Sequence, residues 1–571
     1  MVRRLALAIT FGVAIIACSE STPAELVLRN GRIVTVDSAK PEAQAVAIGG
    51  GKILAVGTNE EIGKYVGANT QVIELEGKLA IPGFEEGHGH FMRVGQAKMQ
   101  LDLRIPKNWD GIVGMVANAA KEAKPGDWIA GRGWHQEKWD KVPTGAVQGF
   151  PTHQELSKVS ANNPVFLTHA SGHAAFANAK ALEQAGITRD TRNPEGGEIV
   201  RDQNGDATGA LLETAQRLVA AAKTRADSAL GPEVKGANDL RAVEMASQEA
   251  LSKGVTTFHD AGSSFETIDL LKRLAEEGKL PLRLYVMIRF ASNDVLDQKL
   301  PQYRILGAGD NHLTVRSIKK QIDGALGSRG AWLLEPYADL PSSSGFVLET
   351  VEDITGTAAI AIKHGFQLNV HAIGDRGNRE VLDIFERTFK ANPDWKDLRW
   401  RIEHSQHINP ADIPRFGQLG VIAAMQGVHA TSDAPWVLIR LGADRAKSGA
   451  YMWHDLIRSG AVVTNGTDAP VEDVSPIASF HASVTRKLAD GSVFYPEQNM
   501  TREEALRSYT INVAYSAFQE DILGSITPGK LADITVLSDD IMTIPDNEIP
   551  ATKVVYTIVG GTVLFKGPGA K

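Results

Sequence analysis

The sequence predicts an α/β protein: a (β/α)8 TIM-like barrel with a discontinuous β-sandwich built from both termini and an α/β lid inserted early in the barrel. Three observations predict it. Strand-and-turn segments crowd the two ends of the chain, short apolar strands alternate with helical stretches between them, and residues able to ligate metals stand where those strands end.

The first residues stand apart from this plan. "MVRRLALAITFGVAIIACSES" sets two arginines before an apolar run from Leu5 to Ala17, closed by Cys18. The run is short for a bilayer span and suits a secretory signal. Ile15-Ile16-Ala17-Cys18 resembles a bacterial lipobox, so residues 1–18 are expected to be a signal ending at a lipidated cysteine. Ser19 in the next position favours the outer membrane. The expected location is the periplasmic face of a Gram-negative outer membrane, with the lipid anchor as the sole membrane contact. Cys18 is the only cysteine, which excludes intrachain disulfides and thiolate metal sites.

The rest is an ordinary globular composition, 43% hydrophobic and 22% charged, with a net charge of −8. No basic stripe or zinc-finger spacing argues for nucleic acid. At 571 residues the chain is too long for one simple core.

"ELVLRNGRIVTVD" (Glu25–Asp37) reads as strand, Asn30-Gly31 turn, strand. "AVAIGGGKILAVG" repeats the pattern and "TQVIELEG" adds a strand. "LADITVLS" and "KVVYTIVGGTVLFKG" are again strands, the last pair hinged at Gly560-Gly561. Residues 25–80 and 520–571 therefore form the expected sandwich.

Residues 81–519 form the expected barrel. "GVTTFHDAG" precedes the helical "SFETIDLLKRLAEEG", "GFQLNVHAIGDRG" precedes "NREVLDIFERTFKA", and "AVVTNGTDAP" follows "MWHDLIRSG". A doubly wound sheet is the alternative, but no glycine-rich nucleotide fingerprint follows any strand. The stretch from about 108 to 230 is too long for one barrel loop and reads as the insertion, plausible as a lid over the barrel mouth.

"GFEEGHGHFM" places His88 and His90 two apart, on one face of a strand. An isolated pair of this kind is more often a polar loop. Four further strand ends change that balance: Lys319 in "VRSIKKQIDG", His371 in "LNVHAIGDRG", His404 in "WRIEHSQHI" and Asp468 in "VTNGTDAP". His371 and His404 lie about one βα unit apart, and His404 and Asp468 about two, at roughly 30 residues per unit.

This ordered set, with "PGFEEGHGH", "QIDGALGSR", "HAIGDRG", "RIEHSQ" and "ITPGKLADITVL" around it, resembles the metal-dependent amidohydrolase superfamily. The wording is similar to the branch containing N-substituted formamide deformylases. The resemblance implies that His88, His90, Lys319, His371, His404 and Asp468 hold one or two divalent ions, most simply zinc, which imidazole and carboxylate donors suit. It also implies that Lys319 is carboxylated by CO2 to an anionic carbamate. Asp468 would take a proton from the metal-activated water and deliver it to the leaving amine. Trp134, His173 and His429 resemble positions near a small-molecule, amide-type substrate, with lid packing or helix capping as the alternative. No organic cofactor is implied, and a homodimer is an allowed assembly.

The implied reaction is hydrolysis of a C–N amide bond of N-acyl or N-formyl amine type. Hydrolytic deamination of a cyclic amidine, or lactone or ester hydrolysis, is the alternative on the same site. A ligand-binding lipoprotein without turnover is the alternative of another class. Two departures stand out: Glu86 replaces an aspartate usual in the family, and Lys320 directly follows Lys319. Strand parity with Gln321 and Asp323 favours Lys319. Asp375, Arg376 and Arg329 read equally as structural residues, and His259 and Asp260 read as strand-end structural residues rather than ligands.

Overall fold

The computed structural model describes residues 23–571, apart from 135, 137–138, 170–173, 195–196, 230 and 328. Eight short segments in the middle of the chain, buried although several carry charged residues, form parallel strands: β1 (Phe84–Gly89), β2 (Val255–Ser263), β3 (Arg283–Ile288), β4 (Leu313–Gln321), β5 (Gln367–Ala372), β6 (Arg401–His404), β7 (Ile422–Gln426) and β8 (Val463–Gly466). Their order in space is their order in the chain. Each is buried on both faces, as strands covered by helices outside and side chains inside must be.

Closure between β8 and β1 runs through the backbone just past the strands. The Asp468 N–H donates to the His88 carbonyl at 2.8 Å, and the His90 N–H to the Ala469 carbonyl at 2.7 Å. The seam is tight because it is lined by glycine. A Cβ on Gly87 would lie 2.4 Å from the Asn465 oxygen, and one on Gly466 2.6 Å from the His88 nitrogen.

Amphipathic helices cover the barrel. The helix Val351–His364 starts at Thr350, whose hydroxyl accepts the Asp353 N–H, with Glu352 and Asp353 in its first turn and Gly365 in the left-handed conformation at its end. It buries Ile354, Ala358, Ala361 and Ile362, a 3.6-residue stripe, against the sheet.

The chain ends build two facing sheets. One has the order Lys52–Gly57, Ala45–Gly49, Leu26–Arg29, Gln71–Glu74. The other has the order Thr562–Lys566, Val554–Val559, Ile534–Leu537, Leu79–Pro82, Arg32–Val34, Glu42–Ala43. Leu28, Val46, Ile48, Ile534, Val536 and Val555 fill the space between them. Leu79–Pro82 pairs antiparallel with Ile534–Leu537, so the two ends of the chain share one sheet.

This sandwich docks where the barrel strands begin. Arg283, the first residue of β3, binds Asp533 through Nε and a terminal nitrogen at 2.8 and 3.0 Å, and both side chains are buried. Thr535 and Thr557 donate to the carbonyls of Gly254 and Leu251. The other end of the barrel, where the strands finish, is left free of the sandwich.

The insertion has its own sheet, in the order Gly197–Arg201, Ala207–Glu213, Ala174–Ala177, Val165–His169, Ile129–Trp134, Leu101–Asp102. It begins at Leu101, ahead of the expected 108, because Leu101–Asp102 joins through only Gly131 and Arg132 and is too short to show as a strand pattern. Arg104 in the insertion reaches Asp473, in the loop after β8, at 3.4 Å. Among the described residues no helix is long and apolar enough to cross a membrane.

Candidate metal centre

The candidate ligands gather at the ends of the barrel strands. Ligand atoms of His88, His404 and Asp468 lie within 4.8 Å of one another, and all three residues are buried. Asp468 Oδ1 is 3.2 Å from His90 Nε2 and 3.6 Å from His88 Nε2. The His404 ring lies 4.7 Å from that of His88 and 4.4 Å from that of His371, centroid to centroid. Strand parity explains the convergence, since His88 and His90 share a face and the other ligands leave neighbouring strands at the same level.

The backbone departs from ordinary strand geometry here. His404, Ser405 and Asp468 have φ of 77°, 44° and 54°. Left-handed geometry in non-glycine residues costs on the order of 1–3 kcal/mol each, and such outliers concentrate at working sites.

A second layer fixes the imidazoles. His88 Nδ1 hydrogen-bonds Glu403, and Arg401 holds Glu403 by ion pairing, with Nε 2.8 Å from Oε1. Arg401 is fully buried, donates to the Gly87 carbonyl at 2.8 Å and lies 3.1 Å from His259 Nδ1. His404 Nδ1 meets Gln426 Oε1 at 2.8 Å. An acceptor on Nδ1 places the proton there and leaves the Nε2 lone pair free for a ligand. Glu86 accepts the Thr467 N–H at 2.6 Å and its hydroxyl at 3.0 Å, so it pins the residue before Asp468. Burial pushes its carboxyl up to about 8 against the pull of those bonds. Asp323 accepts three backbone N–H groups, from Ile373, Gly374 and Trp332, and lies 3.6 Å from His371 Nε2.

The lysines separate by strand face. Lys320 turns outward to Asp353 at 2.6 Å and Glu349 at 3.2 Å. Lys319 is buried on the inner face, where burial lowers its amine to about 8 while Glu403 and Asp468 oppose the shift and Arg289 and Arg401 add to it.

Burial also drives His88 and His371 well below the usual imidazole range and His404 to about 4. Burial works against ionising Asp468, but the His90 imidazole and its neighbours hold that carboxyl well below the usual range. His88, His371 and His404 are thus held neutral beside one ionised carboxylate. His88 Nε2, His371 Nε2 and Asp468 Oδ1 are buried without a hydrogen-bond partner among the described residues. Such nitrogen and oxygen donors, buried and unpaired, fit a divalent cation of the zinc type.

The signature of the amidohydrolase family matches residues 71–565. The chain belongs to the amidohydrolase family. Protein LONG AFTER FAR-RED 3 of Arabidopsis thaliana is 34% identical to it, over 95% of this chain and 92% of that one. The N-substituted formamide deformylase of Arthrobacter pascens is 28% identical over 96% of this chain and 99% of its own. The crystal structure of an uncharacterized metal-dependent hydrolase from Pyrococcus furiosus superposes with a TM-score of 0.72 at 27% identity, covering 91% of this chain and 100% of that one. This amidohydrolase is thus a metal-dependent hydrolase of a small-molecule substrate on a TIM-like barrel.

The expected substrate residues fare differently. His429 lies beside the centre, its ring 6.4 Å from that of His404 and stacked on it, with Nδ1 3.1 Å from Gln406. Trp134 packs within the insertion. It is 1% exposed, donates to the Leu167 carbonyl at 2.9 Å and packs against Trp139, Phe150 and Phe176 in the core of the insertion. His173 lies outside the described residues. Arg329 pairs with Asp339, Arg376 with Glu380, and Asp375 accepts the Leu334 N–H, so these serve the loops.

Glu403, Arg401 and Gln426 escaped the sequence reading. Two charged residues of one parity in a strand as buried as "RIEH" are the signal that could have found the first two. Replacing Glu403 with Gln is expected to weaken binding of a divalent metal by roughly 10- to 100-fold, read by competition with a chelator. Affinity within twofold of the parent would show that the Glu403–His88 bond does not tune the ligand.

Proposed function

We propose that this amidohydrolase cleaves the C–N bond of an amide, of N-acyl or N-formyl amine type. His88, His90, His371, His404 and Asp468 would hold zinc, with Lys319 joining them as a carbamate. The bound ion supplies Lewis acidity, which polarises a carbonyl and lowers the pKa of a ligated water to about 7. The buried, ionised Asp468, 3.2 Å from His90 Nε2, is the observation that carries the reading. Its carboxylate accepts the proton of the attacking water and returns it to the leaving nitrogen, which needs that proton to depart as an amine. The name of the Arthrobacter relative, similar along nearly the whole chain, supports an amide as the bond attacked.

The test is a hydrolysis panel on zinc-loaded protein, spanning N-formyl amines, N-acyl amino acids, cyclic amidines, lactones and aryl esters, read by mass spectrometry. Cleavage of amides alone is expected. Turnover of lactones or amidines with silence on every amide would overturn the choice of bond.

Only a neutral amine attacks CO2, and a lysine with a pKa near 8 is free amine in roughly one molecule in ten at pH 7. Protein stripped of metal and reloaded with zinc in CO2-free buffer is expected to recover little activity, and bicarbonate to restore it. An identical recovery with and without bicarbonate would argue against the carbamate.

We further infer, from the apolar run Leu5–Ala17 before Cys18, that the enzyme sits on the periplasmic face of the outer membrane, tethered by Cys18, which lies outside the described residues. Cys18→Ser is expected to release it from the membrane fraction, and retention there would remove the anchor.

A further inference from the structure

Arg289 follows β3 directly. Ile288 pairs with Ile318 of β4, so Arg289 stands level with Lys319. Tyr285 shares its strand parity and points into the barrel, bonding Gln367 across it. Arg289 therefore turns inward at the mouth, in the row of the metal ligands. Its stem lies over Gly262, where a Cβ would sit 2.5 Å from the Arg289 Cδ, so that glycine makes the room the arginine occupies. Its backbone N–H is tied to the Ser263 carbonyl at 2.9 Å. The guanidinium bonds the Gln321 side-chain oxygen, two residues beyond Lys319 on the same face of β4.

This guanidinium is half-buried and forms no ion pair with any carboxylate among the described residues. The nearby carboxylates are engaged: Glu349 faces Lys320, and Asp260 accepts the Phe91 N–H and the Ser263 hydroxyl. Asp468 belongs to the metal cluster. Arg93, on the helix after His90, adds positive charge from the other side. A half-buried cation without an ion-pair partner is costly, and that cost is offset when an anion arrives, whether a substrate carboxylate or a carbamate on Lys319, the two sources that the test below separates. Exposed apolar side chains stand on the strand-end loops, Phe290 at 67% exposed directly after Arg289 and Val471 at 65% in the loop after β8. Phe290 itself sits at φ 66° under the guanidinium, 5.0 Å from ring centre to Cζ.

We propose that Arg289 selects the substrate: it binds a carboxylate carried beside the scissile amide, so the preferred substrates are N-acylated amino acids with an apolar side chain. The inference rests on the amide reading above. A fork of N–H donors matches a carboxylate in two parallel hydrogen bonds, a match that lysine does not reproduce.

The test compares N-acetylphenylalanine with N-acetyl-2-phenylethylamine, which differ only by the carboxylate. In the zinc-loaded enzyme, Arg289→Met is expected to lower kcat/KM for the first by roughly 10- to 100-fold more than for the second. Arg289→Lys should recover part of the difference. Calorimetry on zinc-loaded Asp468→Asn, with and without Arg289→Met, reads the same preference as binding without turnover. Equal losses on both compounds would assign Arg289 to the Lys319 neighbourhood and overturn the proposal, as would a parent enzyme indifferent to the carboxylate. If neither amide is cleaved yet the carboxylate compound binds tighter through Arg289, the anion site stands and the amide reading falls. If both are cleaved equally, the amide reading stands and this inference falls.

Discussion

Asp468→Asn lowers kcat by roughly 10²- to 10⁴-fold, the usual contribution of a positioned proton-transfer group. The change is nearly isosteric and leaves the backbone seam intact, because the Asp468 N–H still reaches the His88 carbonyl. Four of the candidate imidazoles remain for a divalent metal. The expected result is a folded protein that retains metal, measured by elemental analysis, with turnover nearly lost. Full activity in this variant would move the proton-transfer role elsewhere. Loss of metal together with activity would make Asp468 chiefly a ligand.

Asp533→Ala is the change with the largest expected effect on stability. Arg283 and Asp533 are 3% and 5% exposed and bind each other twice, so removing the carboxylate strands a buried guanidinium. Breaking a buried pair from one side costs about 3–5 kcal/mol. Denaturant unfolding is expected to show the loss, while replacement of both partners by hydrophobic residues of similar volume should return much of it. A single variant as stable as the parent would mean that water reaches the guanidinium. The lesion lies at the foot of the barrel, opposite the candidate metal centre, so kcat of the surviving folded fraction should stay near that of the parent.

Much of this architecture can be read from patterns of side-chain polarity. The repeated strand–helix alternation foretells the barrel, and paired hairpins at both ends foretell the sandwich. The parity that puts His88 and His90 on one face also sends Lys319 inward and Lys320 out to Asp353. What stays hidden depends on neighbours distant in the chain. Gln426 looks unexceptional until β7 brings it under His404. Trp134 sits among glycines and charges, as a substrate residue might, yet its indole is consumed by the aromatic core of the insertion. Arg289 resembles any strand-end cation in sequence. Its lack of an ion-pair partner among the described residues emerges only when the surrounding carboxylates are seen to be occupied.

The pairing of Leu79–Pro82 with Ile534–Leu537 orders the molecule in time. A ribosome delivers the first of these strands and then the entire barrel before the second emerges. At about 5–20 residues per second, that is a wait of roughly 20–90 s. Throughout it, one backbone edge of Leu79–Pro82 has no native partner. A nascent chain stopped before Ile534 therefore carries an open sheet edge that the finished protein does not, and would be the form prone to pair with other chains.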